Sequence, residues 1–438
     1  MQEAWSEQAA AERSPLTSCT GRKFSAPRAN TFGGPFVGTD KWLGGTLGND
    51  GVIYGIPGSG KSVLRIVPET GEATTIGSCR GLEFKSSIPG GKFRWLRGIL
   101  ARDNCIYGLP SNADYVLRII PETQEVVSVG LSLQDGSNPD STSAASSDLT
   151  KSDCSMKGNW KWHGGVLSPI DGAIYCIPCN AEQVLKIKPG QTYKSQPEVT
   201  LIGPKLEGAQ KWYGGLLGPD GAIYGIPYNS DTVLRIVPGD EPTISTFGSL
   251  PKGGWKWHGG VVAPGSVSHR PLGAHAHDNL KCSHIVGVPS HADSVLNITV
   301  WYCDGNGNQG DQANANLLPP PPEINIIIPR DGPLPNGSVA RKGYKYGGGV
   351  VGCDGNAYAL PSDADRVLKI DPKSQSAWLI GPEYECLNKW QNGFLGRDGC
   401  VYAIPTNFHS VLRIHCETEE VSVFGDEEWP GKEKWEGG

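Results

Sequence analysis

The sequence predicts an all-β fold, a β-propeller of about seven four-stranded blades, from a repeat, a composition and a strand pattern. The segment KWYGGLLGPDGAIYGIPYNSDTVLRIVPGDEPTISTFG, beginning at Lys211, recurs along the chain in related form. Near-copies begin at Trp42, Trp95, Trp162, Trp257, Tyr346 and Trp390. The 60 glycines and 34 prolines among 438 residues favour short strands joined by turns. Radial repetition of such a unit forms a propeller.

Each copy divides into four strands, named a to d, separated by turn residues. In the copy quoted above, strand a includes residues 214–217 and ends at the Pro-Asp-Gly turn 219–221. Strand b covers 222–227, strand c covers 232–237 and strand d covers 243–247. Because no segment has a 3.6-residue period, leucine-rich and helical solenoids are excluded. A stacked β-solenoid remains the rival fold.

The repeat also divides the chain into regions. We expect a polar N-terminal extension at 1–30 and a single propeller domain at 31–438. Copy lengths place loop insertions at 131–158, 264–283 and 301–342. The segment ANTFGG at 29–34 resembles the end of a strand d, and KWEGG at 434–438 resembles the start of another copy. The N-terminal strand therefore either closes the ring or belongs to a longer array, and eight blades is the alternative count.

Composition restricts the partners and the compartment. The formal charge of −6, with scattered lysine and arginine, leaves no basic patch for nucleic acid. No run of 18 apolar residues occurs, so no membrane span is expected. The N-terminus lacks the pattern of a signal peptide, which leaves the compartment unknown and favours an intracellular soluble protein. In that setting most of the 12 cysteines are expected to be free thiols.

The blade pattern carries a family resemblance. The run Asp-Gly-x-Ile-Tyr-x-Ile-Pro-x-Asn-x-Asp-x-Val-Leu-x-Ile-x-Pro at 220–238 resembles the blades of NHL-type and streptogramin-lyase-like propellers. This resemblance covers about residues 40–425 and implies a propeller architecture. The catalytic histidine and glutamate of the lyases match no position here, so the resemblance supplies no catalytic residue. Propellers of this kind include enzymes, scaffolds and receptors.

A formal phosphate-loop match, GIPGSGKS, runs from Gly55 to Ser62. A phosphate loop requires a helix after it, because helix-terminal N–H groups hold the phosphates. Here the following residues, 63–68, have the pattern of strand c. The match is therefore interpreted as a variant b–c turn, and no cofactor is expected.

A tryptophan precedes the glycine pair in nearly every copy. The set comprises Trp42, Trp95, Trp162, Trp212, Trp257 and Trp390. A ring of ligand-stacking aromatics is one interpretation. Because the residue recurs, the favoured interpretation is that each side chain packs between neighbouring blades.

Positions that differ between copies are the candidates for function. The residue after the tryptophan is His163, Tyr213 or His258 in three copies. The d–a and b–c connections of a blade share one face, so the b–c turns face the same mouth of the ring. Turn residues that could join this binding face are His291, Asp114, Asp231, Asp293 and Asp365. The competing interpretation of the b–c positions is turn chemistry.

A histidine-rich stretch has a metal-like composition without a recognised ligand spacing. It contains His269, His275, His277, His284 and His291, with Cys282 and Asp278 nearby. Most of it lies in the predicted 264–283 insertion, on the face opposite the mouth. A solvated loop is the favoured interpretation, and no metal is predicted.

Three functions remain open from the sequence. The favoured one is a non-enzymatic binding or scaffold propeller that presents one loop face to a protein partner, with a small molecule or glycan as other possible ligands. The second is a hydrolase or lyase at the mouth, using His163 and His258 as acid and base. The third is a carbohydrate-binding propeller.

Overall fold

The computed structural model describes residues 27–38, 40–77, 92–131, 158–265, 280–303, 319–335, 343–425, 431–432 and 434–435. Within these ranges every regular element is a β-strand. The strands form seven antiparallel sheets of four strands each, arranged as a seven-bladed propeller. The predicted fold class is confirmed. No helix in these ranges is long and apolar enough to cross a bilayer.

Each sheet is one blade, and its strands a to d follow chain order. Blade 1 contains β1 (Trp42–Leu47), β2 (Ile53–Pro57), β3 (Val63–Val67) and β4 (Glu72–Ile76). Blade 2 contains β5 (Trp95–Leu100), β6 (Ile106–Pro110), β7 (Val116–Ile120) and β8 (Glu125–Val129). Blade 3 contains β9 (Trp162–Leu167), β10 (Ile174–Pro178), β11 (Val184–Lys188) and β12 (Glu198–Ile202).

The remaining blades repeat this order. Blade 4 contains β13 (Trp212–Leu217), β14 (Ile223–Pro227), β15 (Val233–Val237) and β16 (Thr243–Phe247). Blade 5 contains β17 (Trp257–Pro264), β18 (Leu280–Pro289), β19 (Val295–Cys303) and β20 (Glu323–Ile327). Blade 6 contains β21 (Tyr346–Val351), β22 (Ala357–Pro361), β23 (Val367–Asp371) and β24 (Ser376–Ile380). Blade 7 contains β25 (Trp390–Leu395), β26 (Cys400–Pro405), β27 (Val411–His415) and β28 (Val421–Phe424).

Blade 5 departs most from the repeat. Its first three strands are long: β17 continues to Pro264, β18 begins at Leu280 and β19 continues to Cys303. The predicted 264–283 insertion therefore includes the end of β17 and the start of β18. The predicted 301–342 insertion is not one loop: it contains the end of β19 and all of β20, the strand d of this blade. Asn297, in a glycosylation sequon, is fully buried within β19. Residues 1–26, 132–157 and 266–279 lie outside the described residues.

Strand a is the innermost strand, and glycine allows the blades to approach there. A Cβ placed on Gly164 would lie 3.0 Å from the Cα of Gly214 in the next blade. A side chain there would crowd the backbone of the next blade, so glycine favours the close approach at this interface. The approach in turn brings the first residues of successive strands a together around the axis.

The core is divided among the blade interfaces. Six apolar clusters each join two consecutive blades, from blades 1 and 2 to blades 6 and 7. In the cluster between blades 3 and 4, Tyr175 and Ile177 pack with Trp212 and Leu234. The repeat tryptophans of blades 2, 3, 4, 5 and 7 are at most 2% exposed, whereas Trp42 is half-buried. Each of these indole N–H groups donates to a carbonyl at the end of its own b–c turn, as in the 2.7 Å bond from Trp212 to Thr232.

A second repeated feature fixes the a–b turn. In blade 4 the Asp220 carboxylate accepts a 2.8 Å hydrogen bond from the Tyr224 hydroxyl and forms a 2.9 Å ion pair with Arg235. The same Asp–Tyr hydrogen bond occurs in blades 1, 2, 3, 6 and 7. Blade 5 has Val286 and Asn297 in place of the tyrosine and arginine.

All cysteines in the described ranges are free thiols. Cys105, Cys176 and Cys400 are buried in blade cores, and burial raises the pKa of each thiol. These side chains serve as small apolar core residues.

Candidate functional site

Three residues predicted from the copy-to-copy variation meet at the central mouth. His163 and Tyr213 stack with ring centroids 3.2 Å apart, and Tyr213 lies 4.4 Å from the His258 ring. The two histidine rings are 6.1 Å apart. They meet because each follows a buried tryptophan at the start of an innermost strand. The mouth on blades 3, 4 and 5 is therefore an aromatic surface.

A second layer of aromatic residues extends this surface. Tyr228, from a b–c turn, lies 4.8 Å from the Tyr213 ring and donates a 2.9 Å hydrogen bond to the Tyr344 hydroxyl. Tyr344 also packs against His258 at 5.6 Å and against His291 at 5.3 Å. His291 thus joins the cluster at its edge. Neither tyrosine was predicted from the sequence, because each lies in a loop whose direction the repeat does not reveal.

The rim of the mouth carries exposed aromatic area. Trp255 is 47% exposed and Tyr344 is 42% exposed. The Trp255 indole packs 5.2 Å from His291 and donates a 2.9 Å hydrogen bond to the Gln210 side chain. The Asn229 carboxamide accepts a 3.0 Å bond from the Trp255 backbone N–H, which fixes the loop. A ligand at the mouth would meet aromatic side chains that are already held in place.

Arg97 brings the charge to this site, and sequence reasoning missed it. It occupies the first position of the glycine pair in blade 2 and has a φ of +64°, where Gly44 and Gly214 have +83°. A non-glycine residue in this conformation stores strain, and such strain concentrates at functional positions. The signal was available in the sequence, because five blades have glycine at this position, whereas blade 2 has Arg97 and blade 7 has Asn392.

The Arg97 guanidinium has no counter-ion among the described residues. Its side chain is accessible from the channel, but the surrounding protein removes much of its solvation, which lowers the pKa of Arg97. The nearby Tyr213 acts in the opposite direction and raises that pKa. Within the part of the chain that the structure describes, no carboxylate pairs with it. The site therefore presents an uncompensated positive charge beside an aromatic surface.

Both histidines are neutral at pH 7. Burial, with a further effect of Arg97, lowers the pKa of His258 to about 4. Burial also holds the pKa of His163 well below its usual value, and His258 and Arg97 act in the same direction. The Nδ1 atom of His163 has no hydrogen-bond partner among the described residues. This atom could therefore form a hydrogen bond with a ligand.

The predicted turn acids lie elsewhere. They do not converge on the histidines; each lies at a blade boundary, near the lysine that precedes the next strand a. Asp114 raises the pKa of Lys161, and Asp231 raises that of Lys256, against the larger lowering by burial. Asp293 forms an ion pair with Lys345. Burial lowers the pKa of Lys389, and the nearby Asp365 opposes that effect. Their positions recur with the repeat, which supports a role in blade docking.

Those lysines form a network that the sequence did not reveal. The Lys211 ammonium donates to the carbonyls of Cys179, Ala181 and Gly208 at 2.9–3.0 Å. Lys256 makes the equivalent bonds one blade further on. Burial lowers the pKa of Lys161 and of Lys256 to about 8. Each lysine therefore ties a d–a loop to the preceding b–c turn.

The phosphate-loop match from Gly55 to Ser62 has structural contacts at both of its ends. Gly55 lies within β2 and pairs with Leu64 of β3, so it belongs to a strand and not to a loop. Ser62 ends the b–c turn, and its carbonyl accepts a 2.8 Å hydrogen bond from the Trp42 indole. The element that follows Ser62 is β3, a strand, where a phosphate loop would require a helix.

The N–H groups in the middle of the match are already bonded to the segment that leads into strand a of the same blade. The N–H groups of Gly58 and Gly60 donate to the Lys41 carbonyl, and that of Ser59 donates to the Asp40 carbonyl. N–H groups already bonded to carbonyls cannot hold a phosphate.

The described part of the histidine-rich stretch is split between two places. His284, on β18, has its Nδ1 atom 3.3 Å from the Thr299 hydroxyl, whereas His291 lies at the mouth. Cys282 is buried on β18. Within the described residues no group of three or more metal-ligating side chains converges. His269, His275, His277 and Asp278 lie outside the described residues.

Comparisons with known proteins find similarity only among solved structures. No protein-family model and no curated protein sequence matches the chain. Among solved structures it is similar to virginiamycin B lyase from Staphylococcus aureus, at 14% identity and a TM-score of 0.47, covering 84% of this chain and 92% of that one. It is also similar to the dihydro-haem d1 dehydrogenase NirN, at 9% identity and a TM-score of 0.48, covering 86% and 65%.

A protein from Lactobacillus plantarum is similar at 10% identity and a TM-score of 0.48, covering 85% of this chain and 90% of that one. The lyase and the dehydrogenase have different activities, and the similarity is too distant to transfer either of them. The chain is a seven-bladed β-propeller that resembles the streptogramin-lyase-like propellers at the level of fold.

Proposed function

We propose that this protein is a binding propeller whose central mouth takes a carboxylate of a protein partner. One observation carries the proposal: Arg97 is a strained, channel-facing guanidinium without a counter-ion among the described residues. An arginine in that state gains free energy when a carboxylate forms paired hydrogen bonds with it. The Nδ1 atom of His163 offers a further polar contact.

The aromatic surface supplies the other half of recognition. His163, Tyr213 and His258 can pack against the aliphatic or aromatic part of a peptide, while Trp255 and Tyr344 extend contact to the rim. Aromatic residues and arginine are the residue types enriched at protein-binding sites. A loop face held by a rigid scaffold is also where binding residues usually occur.

The electrostatics favour binding over catalysis. A general base at neutral pH works best with a pKa near 7, and the pKa of His258 is about 4. Neither histidine has a carboxylate partner among the described residues that would raise its basicity. The hydrolase or lyase alternative therefore has weaker support, and the glycan alternative does not account for Arg97.

The test uses an array of tetrapeptides with free C-terminal carboxylates, with the same peptides amidated and with Asp or Glu at internal positions. We expect acidic or carboxylate-ended peptides to bind, and amidation to show which carboxylate is recognised. Arg97→Gln should reduce affinity by about 10- to 100-fold, the value of a charge-assisted hydrogen bond.

The matched control is Arg102→Gln, which removes an exposed arginine from an a–b turn and should leave binding unchanged. Equal binding of neutral amidated peptides, or equal loss in both variants, would contradict the proposal.

A further inference from the structure

The six interfaces between consecutive blades have no seventh counterpart among the described residues. Each of the six is an apolar cluster built from the rear of one blade and the front of the next. No such cluster joins blade 7 to blade 1 in the described part of the chain. We name the space between these two blades the seam.

On the blade 1 side of the seam, side chains at positions that belong to the core in other blades are only half-buried. Four apolar side chains are half-buried there, although their counterparts in blades 2 to 7 are at most 2% exposed. They are Trp42, Ile53, Leu64 and Ile66. A fifth, Leu47, is 53% exposed, whereas its counterparts Leu167 and Leu217 pack against the preceding blade. Blade 1 thus shows the face that every other blade buries against its predecessor.

The blade 7 side shows the opposite face. Ile404 and Val411 are half-buried, although their counterparts are at most 1% exposed. Phe394 is 55% exposed. Its counterpart Leu216 lies against the following blade. A Cβ placed on Gly260 of that blade would be 3.2 Å from the Leu216 Cδ1 atom. Both sides of the seam therefore carry unburied blade-docking surfaces.

The N-terminal segment marks the outer edge of a further blade. A Cβ on Gly33 would lie 2.6 Å from the Cβ of Ala73, near the start of β4. In the same way, a Cβ on Gly381, just after a strand d, would lie 2.5 Å from the Cβ of Val421 in the next blade. Gly33 thus holds the position of a glycine that ends the strand d of a blade preceding blade 1.

The C-terminal segment marks the inner edge of the same blade. The Lys434 N–H donates a 3.1 Å hydrogen bond to the Thr406 carbonyl of blade 7, and the Lys434 ammonium donates to Gly431 at 3.0 Å. Lys211 makes the equivalent bonds, to Cys179 and Gly208, when it opens blade 4. Trp435, which follows, is 37% exposed, while the tryptophan at this position in blade 4 is 2% exposed.

We propose that the seam is the docking site of one further copy of the blade, supplied by a polypeptide that carries the same repeat. This chain would supply the start of strand a, at Lys434, and the end of strand d, at Gly33, and the polypeptide would supply the strands between them. The copy would bury both sides of the seam through the contacts that already join blades 1 to 7. Apolar complementarity across a blade face, and not charge, would drive the association.

The test adds a separate polypeptide with the sequence of residues 214–243, which holds the end of strand a and all of strands b and c of blade 4. Fluorescence anisotropy of the labelled polypeptide should show saturable binding to the full chain, and a scrambled sequence should not bind. The thermal midpoint of the chain should rise as the polypeptide saturates the site. No binding above the scrambled polypeptide would overturn the proposal.

Leu47→Asp and Phe394→Asp place a carboxylate on each side of the seam at exposed positions, so folding should be retained. Each should weaken binding at least tenfold. Ile170→Asp is the control, because Ile170 is also 55% exposed but lies in the a–b turn of blade 3. Equal weakening by all three changes would contradict a seam site.

Two further outcomes also count against the proposal. If sedimentation shows dimers that both seam variants dissociate while the polypeptide fails to bind, the occupant is a second copy of this chain. If a crystal structure shows Phe394 packed against Leu47, the ring closes with seven blades.

A chain with the polypeptide fused after Gly438 provides a second measurement, and it should melt at a higher temperature than a chain with the scrambled fusion.

Discussion

The two ends of each blade differ in how far their residues repeat from one blade to the next. At the a–b turn, six of the seven blades repeat the Asp–Tyr hydrogen bond, as between Asp220 and Tyr224. At the mouth, the residue after the tryptophan changes from His163 to Tyr213 to His258 in consecutive blades. Repeated residues stabilise each blade, whereas the residues that differ shape one site. Function in this ring is expected where the repeat is broken.

Trp212→Ala should cause the largest loss of stability. The side chain is 2% exposed between blades 3 and 4, and its removal should cost about 3–5 kcal/mol. Trp42→Ala should cost about half as much, because no described blade precedes Trp42 for it to pack against. Urea denaturation of both variants measures the difference. Equal losses would indicate that blade 1 is packed on both sides.

Asp220→Ala should cause the next largest loss. The carboxylate accepts bonds from Tyr224 and Ala222 and pairs with Arg235, so the change leaves partly buried donors without a partner. We expect a loss of about 2 kcal/mol. Asp240→Ala, at an exposed turn of the same blade, is the control and should change stability by less than about 0.5 kcal/mol. Binding at the mouth should be unaffected by either change.

Stability should fall as the pH falls from about 6.5 to about 4. The folded-state pKa of His258 is about 4, while an unfolded histidine has a pKa near 6.5. Over that range the unfolded chain binds a proton that the folded chain does not, which favours unfolding. The contribution should be roughly 3 kcal/mol, since each pH unit between these two pKa values corresponds to about 1.4 kcal/mol. Urea midpoints across this pH range should show a shallower decline in His258→Gln, and an identical decline would refute the assignment.

The smallest effect on stability should come from the mouth itself. Changing His163, Tyr213 and His258 together to alanine should cost only about 1–2 kcal/mol, because these side chains line the channel and do not fill a core. Peptide binding should nevertheless be lost. Thermal melts beside the peptide array compare the two effects. A variant that melts earlier than Trp212→Ala, or that binds as the unaltered chain does, would place the binding surface elsewhere.

The sequence predicted both the blades and part of the mouth, because both follow from the repeat. A residue beside a repeated tryptophan has a fixed position in the blade, so His163, Tyr213 and His258 had to meet around the axis. The turn acids were a harder case, because sequence does not show whether Asp231 faces the axis or Lys256 of the next blade. Tyr344 and Trp255 lie in loops whose lengths vary, and their directions depend on packing.

Arg97 is different again. It lies within the strand pattern, at a glycine position whose recurrence is explained by packing, so the pattern alone does not distinguish a functional residue there. Only the structure shows that the guanidinium faces the channel with no counter-ion among the described residues. Asn392 also replaces this glycine in blade 7, but only Arg97 combines a charge with a positive φ, and that combination is the evidence about function.

Arg97→Gly tests the central claim most directly, because it restores the repeat and removes the charge in one step. The present φ of +64° costs arginine free energy that glycine does not lose, so stability should rise by about 1 kcal/mol. Binding of carboxylate-ended peptides should be lost in the same protein. A more stable variant that no longer binds is the predicted result. A variant that binds as well as the unaltered chain would contradict the account, whatever its stability.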